Sequence, residues 1–418
     1  MSAVYAKYLA RVGKYLLVGL LAATLLNAFV DPFGVIAAGW GDHSAFHRTE
    51  AAEYAREAKL VAVDAIRPRT LILGSSTAFN GIPADSALWR ARPVYNLAVG
   101  GATIQEIEWL LKYAYASGRV RQVIVNLDFY MFNMRNPTQM TPPGRGLAAR
   151  LLRYFELMSS RAAFVASLET LATQRTTNCV VQLNGDELCH PRAATQGGYL
   201  RAFQLTESSY LTNNTWFAQG SGFDFRDAQG ESSFNAYRRI LEFAADHRID
   251  LRITLSPSHA RLWTALRLAG LEDAFQAWKE RLVAIDLAVA RGAGRPSFPF
   301  WDFSYATPLT VELIAAGPQK MNYFLETMHF TSTLGTKMLE RVFDAPDQDR
   351  TFGRRLDDSA TPAVEIADEA RLQSDWERNP GVIQDLEALA RDSAGFRSRL
   401  VESGRVSRES LAVRDDGL

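Results

Sequence analysis

An α/β fold with a parallel sheet is what this sequence predicts, on three observations. Short apolar runs alternate with longer amphipathic stretches between about residues 69 and 343. The amphipathic stretches carry apolar residues at three- and four-residue spacing, the period of a helix packed along one face. The apolar runs end in glycine, serine or acidic residues, as strands do where they enter a loop. Strands alternating with helices form a parallel sheet covered by helices on both faces.

The first element lies outside that domain. Lys7, Arg11 and Lys14 precede YLLVGLLAATLLNAFV, residues 15–30, and Asp31-Pro32 closes the run. Sixteen uncharged residues fall short of the roughly twenty that cross a bilayer. Tyr8, Leu9 and Ala10 extend the segment backward if Arg11 and Lys14 snorkel to the interface. A cleaved signal peptide or a buried core helix shares this composition. No small-x-small cleavage site follows, which favours an uncleaved anchor over residues 1–34. Basic residues ahead of the span predict a cytoplasmic N-terminus and an extracytoplasmic remainder, periplasmic in a Gram-negative host.

Residues 35–345 hold the α/β domain. RTLILG (69–74), PVYNLAV (93–99), RQVIVNLD (121–128), DLRITLS (250–256) and PFWDFS (299–304) read as strands. TIQEIEWLLKYAYASG, SSFNAYRRILEFAADHR and LEDAFQAWKERLVAIDLAVARG read as helices, the first through Ile104, Ile107, Leu110, Leu111, Ala114 and Tyr115. Residues 135–225 break the alternation and read as an insertion: two helical runs, a cysteine-bearing hairpin and a polar stretch. Insertions of this kind shape binding clefts. Residues 346–418 are polar and turn-rich and read as a helical or disordered tail.

Cys179 and Cys189 are the only cysteines. A three-residue loop Leu183-Asn184-Gly185, with Gly185 left-handed, puts them opposite each other in a hairpin. A disulfide there suits an oxidising compartment; two free thiols are the alternative. Lys+Arg and Asp+Glu both number 46, so no excess of basic charge invites nucleic acid.

Active sites of open α/β sheets lie at the carboxyl ends of the strands. Those ends are Gly74-Ser75-Ser76, Val99-Gly100-Gly101, Asn126-Leu127-Asp128 and Ser256-Pro257-Ser258-His259. NYFLETMHFTSTLG follows late in the chain, with Glu326 and His329 three apart. A serine nucleophile needs a histidine to take its proton, an acid to orient that histidine, and donors for the oxyanion. No G-x-S-x-G elbow is present, which argues against an ordinary α/β-hydrolase.

GSS after the first strand, NLAVGGAT after the second, NLD after the third and a late acid-x-x-His together resemble the blocks of the SGNH (GDSL-like) hydrolases. The resemblance covers about 69–343 and leaves the insertion unmatched. It implies the SGNH three-layer fold, with Ser76 as nucleophile, His329 as base and Glu326 as its orienting acid. It further implies the Ser76 and Gly101 amides as oxyanion donors. Glu326 stands where the family usually has aspartate. Asp128 stands at the third-block place, which usually supplies an asparagine amide to the oxyanion hole. A carboxylate cannot donate unless protonated, which leaves orientation of the loop as its other role.

Within that superfamily the chain is similar to a membrane-anchored branch, the alginate-type polysaccharide O-acetyltransferases and the D-alanine transfer protein of teichoic acids. DPFG after the anchor, NLDFYMFN, SPSHA and YFLETMHFTSTLG carry that likeness. It implies O-acylation, most readily O-acetylation, of an exopolysaccharide or envelope polymer, beside a membrane-bound O-acyltransferase partner. No metal or tightly bound cofactor is implied. A secreted esterase or deacetylase shares the same residues, and a catalytically silent polysaccharide-binding scaffold is the reading from another class.

Other residues have two readings each. Ser75 is a second candidate nucleophile. His259 either contacts substrate or caps the next helix. Asp42, His43 and His47 resemble a helical metal pair by spacing, and no further ligand stands nearby. Trp216, Phe217, Phe223 and Phe225 either stack on sugar rings or fill the core.

Overall fold

The computed structural model describes residues 3–40, 46–48, 55–116, 118–175, 179–189, 198–212, 216, 222–315, 320–346, 348–357, 362–379 and 381–402. The N-terminal apolar run forms one helix, α1 (Ala3–Val30), followed by α2 (Val35–Trp40) and α3 (Ala55–Ile66). The sheet domain opens with β1 (Thr70–Leu73), α4 (Ser76–Gly81), β2 (Val94–Asn96), α5 (Ile104–Tyr115) and β3 (Gln122–Leu127). The insertion supplies α6 (Leu147–Ser159), α7 (Arg161–Thr173), β4 (Cys179–Val181), β5 (Glu187–Cys189) and α8 (Gly198–Thr212). The domain resumes with α9 (Ser233–Asp246), β6 (Asp250–Leu255), α10 (Ala260–Leu268) and α11 (Glu272–Gly292). It continues through β7 (Phe300–Asp302), α12 (Ser332–Val342), β8 (Arg354–Arg355), α13 (Pro362–Glu377) and α14 (Gln384–Glu402).

Six strands form one sheet in the order β2-β1-β3-β6-β7-β8. All neighbours are parallel except β7 and β8. The chain runs from β1 out to β2 and then crosses back to β3, on the other side of β1. At such a reversal the connections leave adjacent strands toward opposite faces, which opens a crevice at their carboxyl ends. The Gly74-Ser75-Ser76 turn and Asp128 both lie at that place.

Every residue of β1 and β3 is buried, as parallel strands covered on both faces require. Strand alternation divides them. Leu71, Leu73, Val123, Val125 and Leu127 join one core with residues of α5, α9 and α11. Ile72 and Ile124 join the other, with Ala78, Phe330, Leu334 and Met338. Each such aliphatic side chain contributes about 1.5–3 kcal/mol when fully buried.

The cysteine hairpin has the expected register. Cys179 lies opposite Cys189, Gly185 has φ +86°, and the Gln182 amide donates to the Asp186 carbonyl at 2.8 Å. The cysteine side chains lie outside the described atoms, and with them the disulfide. The hairpin rests on the end of β2: the Asn96 amide donates to the Asn184 carbonyl at 2.7 Å.

The tail, read as helical or disordered, is helical over Pro362–Glu377 and Gln384–Glu402 and packs on the domain. β8 adds an antiparallel edge strand, and Phe352, Leu356, Ile366 and Leu386 are buried. Lys279 of α11 is buried with its ammonium 2.8 Å from Asp302 and 2.9 Å from Glu369 of α13. Arg261 of α10 joins Glu207 of α8 to Asp385 of α14, at 2.7 and 2.9 Å. The segment reads as polar because its apolar anchors are few and widely spaced, while its acids answer cations elsewhere in the fold. Residues 403–418 lie outside the described part.

Candidate active site

The turn after β1 is built by its first serine. Ser75 has extended backbone and caps α4, its Oγ accepting from the Thr77 amide at 3.2 Å. This cap puts Ser76 at the first helical position, where the helix itself does not use the amide. Ser76 is partly exposed, whereas Ser75 is buried.

The partner segment is a closed turn between residues 323 and 331. Phe324 and Phe330 pair as an antiparallel bridge. The Leu325 amide donates to the His329 carbonyl, and the Thr331 amide to the Tyr323 carbonyl, both at 2.9 Å. Inside it, the amides of Met328 and His329 donate to the Glu326 carboxylate at 2.9 and 2.8 Å. The same carboxylate accepts from His329 Nδ1. That bond requires the proton on Nδ1, so Nε2 presents its lone pair. Nε2 lies 2.7 Å from Ser76 Oγ. Residues 253 positions apart in sequence therefore form a hydroxyl–imidazole–carboxylate relay.

Two glycines set the spacing. α4 ends at Gly81, and Gly335 of α12 packs on it so closely that a Cβ there would lie 1.8 Å from the Gly81 carbonyl oxygen. A Cβ on Gly81 would meet the Phe330 ring at 2.1 Å. The helix carrying Ser76 thus touches α12, which follows the His329 turn, through backbone, and the turn itself through the Phe330 ring.

The electrostatics suit proton transfer. Burial works against charge on His329, but the Glu326 carboxylate, with Asp128 and Glu187 further off, lifts the imidazole above its ordinary value. Burial would raise Glu326, yet the imidazole and the two amides hold it below its ordinary value. About a quarter of the His329 side-chain surface remains accessible.

Asp128 sits under the serine turn. It accepts from Ser75 Oγ at 2.6 Å and from Thr77 Oγ1 at 3.0 Å. Burial raises its pKa against the pull of those hydroxyls. Its hydrogen bonds brace the residues on either side of Ser76, which is the loop-orienting role. Gly101, at φ +60°, lies in the loop after β2. That loop is tied to the serine turn by the Val99 amide, which donates to the Gly74 carbonyl at 3.1 Å.

Several supporting residues escaped the sequence reading. Arg56 donates to the Gly100 carbonyl at 2.8 Å and pairs with buried Glu106. Glu106 also closes a capping box with Thr103; the T-x-x-E spacing is a signal that could have found it. Lys59 donates to the carbonyls of Asn96, Ala98 and Gly185, and burial lowers its pKa to about 8. Tyr130 is buried beside the serine turn, and burial pushes its hydroxyl far above the ordinary phenol value, so it stays protonated. In LDFYMF it reads as core. A cavity of about 300 Å³ borders this region, walled by Phe33, Phe79, Gly101 and Leu183 among others.

Other expected residues are not brought to the relay. His259 is buried, caps α10 by accepting from the Arg261 amide, and donates through Nε2 to the Glu312 carbonyl at 2.7 Å. Substrate contact is thereby replaced by capping. Ser75 is committed to Asp128 and to its helix. Trp216, Phe223 and Phe225 are buried core, Phe223 stacking on Phe129 at 4.4 Å. Phe217, Asp42 and His43 lie outside the described residues, and His47 is exposed. Among the described residues no three metal-ligating side chains converge.

No protein-family model, no curated protein and no solved structure matches this chain.

Proposed function

We propose that this chain is a membrane-anchored, SGNH-like serine acyltransferase of the cell envelope that places acyl groups, most simply acetyl, on hydroxyls of an extracellular polysaccharide. The observation that carries this reading is the Ser76–His329–Glu326 relay, with Nε2 facing the hydroxyl at 2.7 Å. The helix long and apolar enough to cross a membrane, Val4–Val30, supports the anchored part. A membrane-bound O-acyltransferase delivering the acyl group and a polymer accepting it are the partners this reading calls for.

Ser76 Oγ attacks the carbonyl carbon of an acyl ester or thioester while His329 Nε2 takes its proton. Negative charge moves to the carbonyl oxygen, and the Ser76 and Gly101 amides are the donors offered to it. The tetrahedral centre collapses, the leaving group departs with the proton from His329, and the acyl group remains on Ser76. An acceptor hydroxyl then attacks that ester, giving its proton to Nε2. The second collapse releases the acylated acceptor and returns the proton to Ser76. Glu326 holds the imidazole in the required tautomer throughout. Transfer prevails over hydrolysis where water is excluded, and the hairpin and cavity beside Gly101 offer such cover.

The test uses the full chain in detergent with nitrophenyl acetate. Release of nitrophenol together with an acetyl mass on the intact protein, both lost in Ser76→Ala, is the expected result. Adding oligosaccharide acceptors then divides transfer from esterase action. A folded sample with neither turnover nor adduct, tested also with a thioester donor, overturns the catalytic reading in favour of a scaffold.

A further inference from the structure

The α6–α7 hairpin carries more apolar surface than the fold covers. Leu157, Met158, Ala163 and Ser167, near the tip, are buried. Polar clips fix the hairpin to the end of α1: Asn27 Nδ2 donates to the Met158 carbonyl at 2.9 Å, and Ser167 Oγ donates to Asn27 Oδ1 at 2.8 Å. Thr24 Oγ1 lies 3.3 Å from Ser159 Oγ at the hairpin tip. Its outer face carries Leu147, Leu151 and Phe155 on α6, and Phe164, Leu168 and Leu171 on α7. All six are exposed, Leu147 at 72% and Leu151 at 60%. Their spacings, i, i+4, i+8 and i, i+4, i+7, draw one stripe along each helix. Exposed stripes of this size on a soluble protein mark a contact surface.

The level of the hairpin on α1 names the contact. Val30 ends α1, and the tip meets Thr24 six residues earlier, about 9 Å along the helix axis. A span of about twenty residues ending at Val30 begins at Arg11 and covers about 30 Å, the thickness of the hydrocarbon layer. The tip then lies about 9 Å inside the outer boundary, within the 5–10 Å to which interfacial helices bury an apolar face. The most apolar window of α1 is 0% buried by the protein, so the outer stripes continue a surface that already faces lipid. Tyr154 and Arg150, the latter paired with Asp64 at 2.9 Å, supply the polar rim, and Arg161 at the tip has a stem long enough to return its charge to the phosphates.

We infer that the α6–α7 hairpin is a second membrane contact, its outer apolar face seated in the outer leaflet of the bilayer beside α1. This rests on α1 being a membrane span. The hairpin fixes the height and tilt of the α/β domain, so that the cavity reached through Phe33 opens close to the lipid surface.

The test places photoreactive benzoylphenylalanine in the full chain, reconstituted in phosphatidylethanolamine–phosphatidylglycerol vesicles. Leu16 reports on α1; Leu151, Phe155 and Leu168 report on the hairpin; Glu280, exposed on α11, is the control. All five positions are exposed, so the label does not disturb packing. Lipid adducts several-fold above Glu280 at Leu16 and at all three hairpin positions are expected. Lipid adducts at Leu16 alone, with protein adducts or none on the hairpin, overturn the inference and leave the anchor standing. No lipid adduct at Leu16 removes the anchor and the inference together.

Discussion

Two histidines sit near carboxyl ends of the sheet and do opposite things. His329 faces a carboxylate on one nitrogen and a serine hydroxyl on the other, with a quarter of its side-chain surface accessible. His259 faces a carbonyl and an amide and is buried. The first is pushed up by Glu326; the second is pushed down to about 4 by burial. Position in the fold does not separate them. What separates them is whether a charge or a neutral dipole stands behind the ring.

The sharpest way to break the contrast is Ser76→Ala. If His329 is the base of a relay, turnover of nitrophenyl acetate falls by about 10³-fold or more, read against unchanged thermal stability. Glu326→Gln comes next, with an expected loss of about 10²–10⁴-fold. The pH profile carries the sign: His329 must be neutral to accept a proton, so the rate climbs with pH along a limb above 6.5. In Glu326→Gln that limb moves to lower pH, and a limb that stays in place removes Glu326 as its cause.

His259→Ala sharpens the other side. Turnover per folded molecule stays at the parent value, while unfolding stability falls by about 1–3 kcal/mol as the Arg261 amide and Glu312 carbonyl lose their partner. Its folded pKa is depressed, so the unfolded chain binds the proton first. Stability is therefore lost as pH falls from about 6.5 toward about 4, and the variant has a shallower acid slope. His329 contributes with the opposite sign, adding stability below its unfolded value that disappears as pH rises through its raised folded value. The smallest effect belongs to Tyr130→Phe. Loss of the buried hydroxyl beside the serine turn lowers kcat by up to about tenfold. A variant indistinguishable from the parent assigns that hydroxyl to packing alone.

The five sheet strands expected inside the α/β domain were legible because each is a short apolar run ended by a turn. β8 was not, since two arginines at an edge carry no strand signal. Hydroxyl, acid and imidazole stood at loop positions after apolar runs, but the choice of Ser76 over Ser75 and of His329 over His259 came from the resemblance of the blocks. The role of Asp128 was readable only as a departure, a carboxylate where a donor was wanted; its hydroxyl partners became visible in three dimensions. Lys59, Arg56 and Lys279 stayed hidden because a buried cation looks like a surface one until its acceptors arrive from distant segments. How the tail packs stayed hidden for the same reason, Glu369 being half of an ion pair whose other half lies 90 positions earlier.

The Gly81–Gly335 contact has a consequence for how this site can vary. Backbone against backbone leaves no flexible side chain to absorb a change, so the gap between hydroxyl and imidazole is not adjustable by small steps. A methyl group at Gly335 acts as a wedge whose thin edge is at α12 and whose opening is at Ser76. Under the proposed mechanism the relay is tuned from the far side of the ring, through Glu326, while the two glycines serve as a fixed hinge pin between α4 and α12.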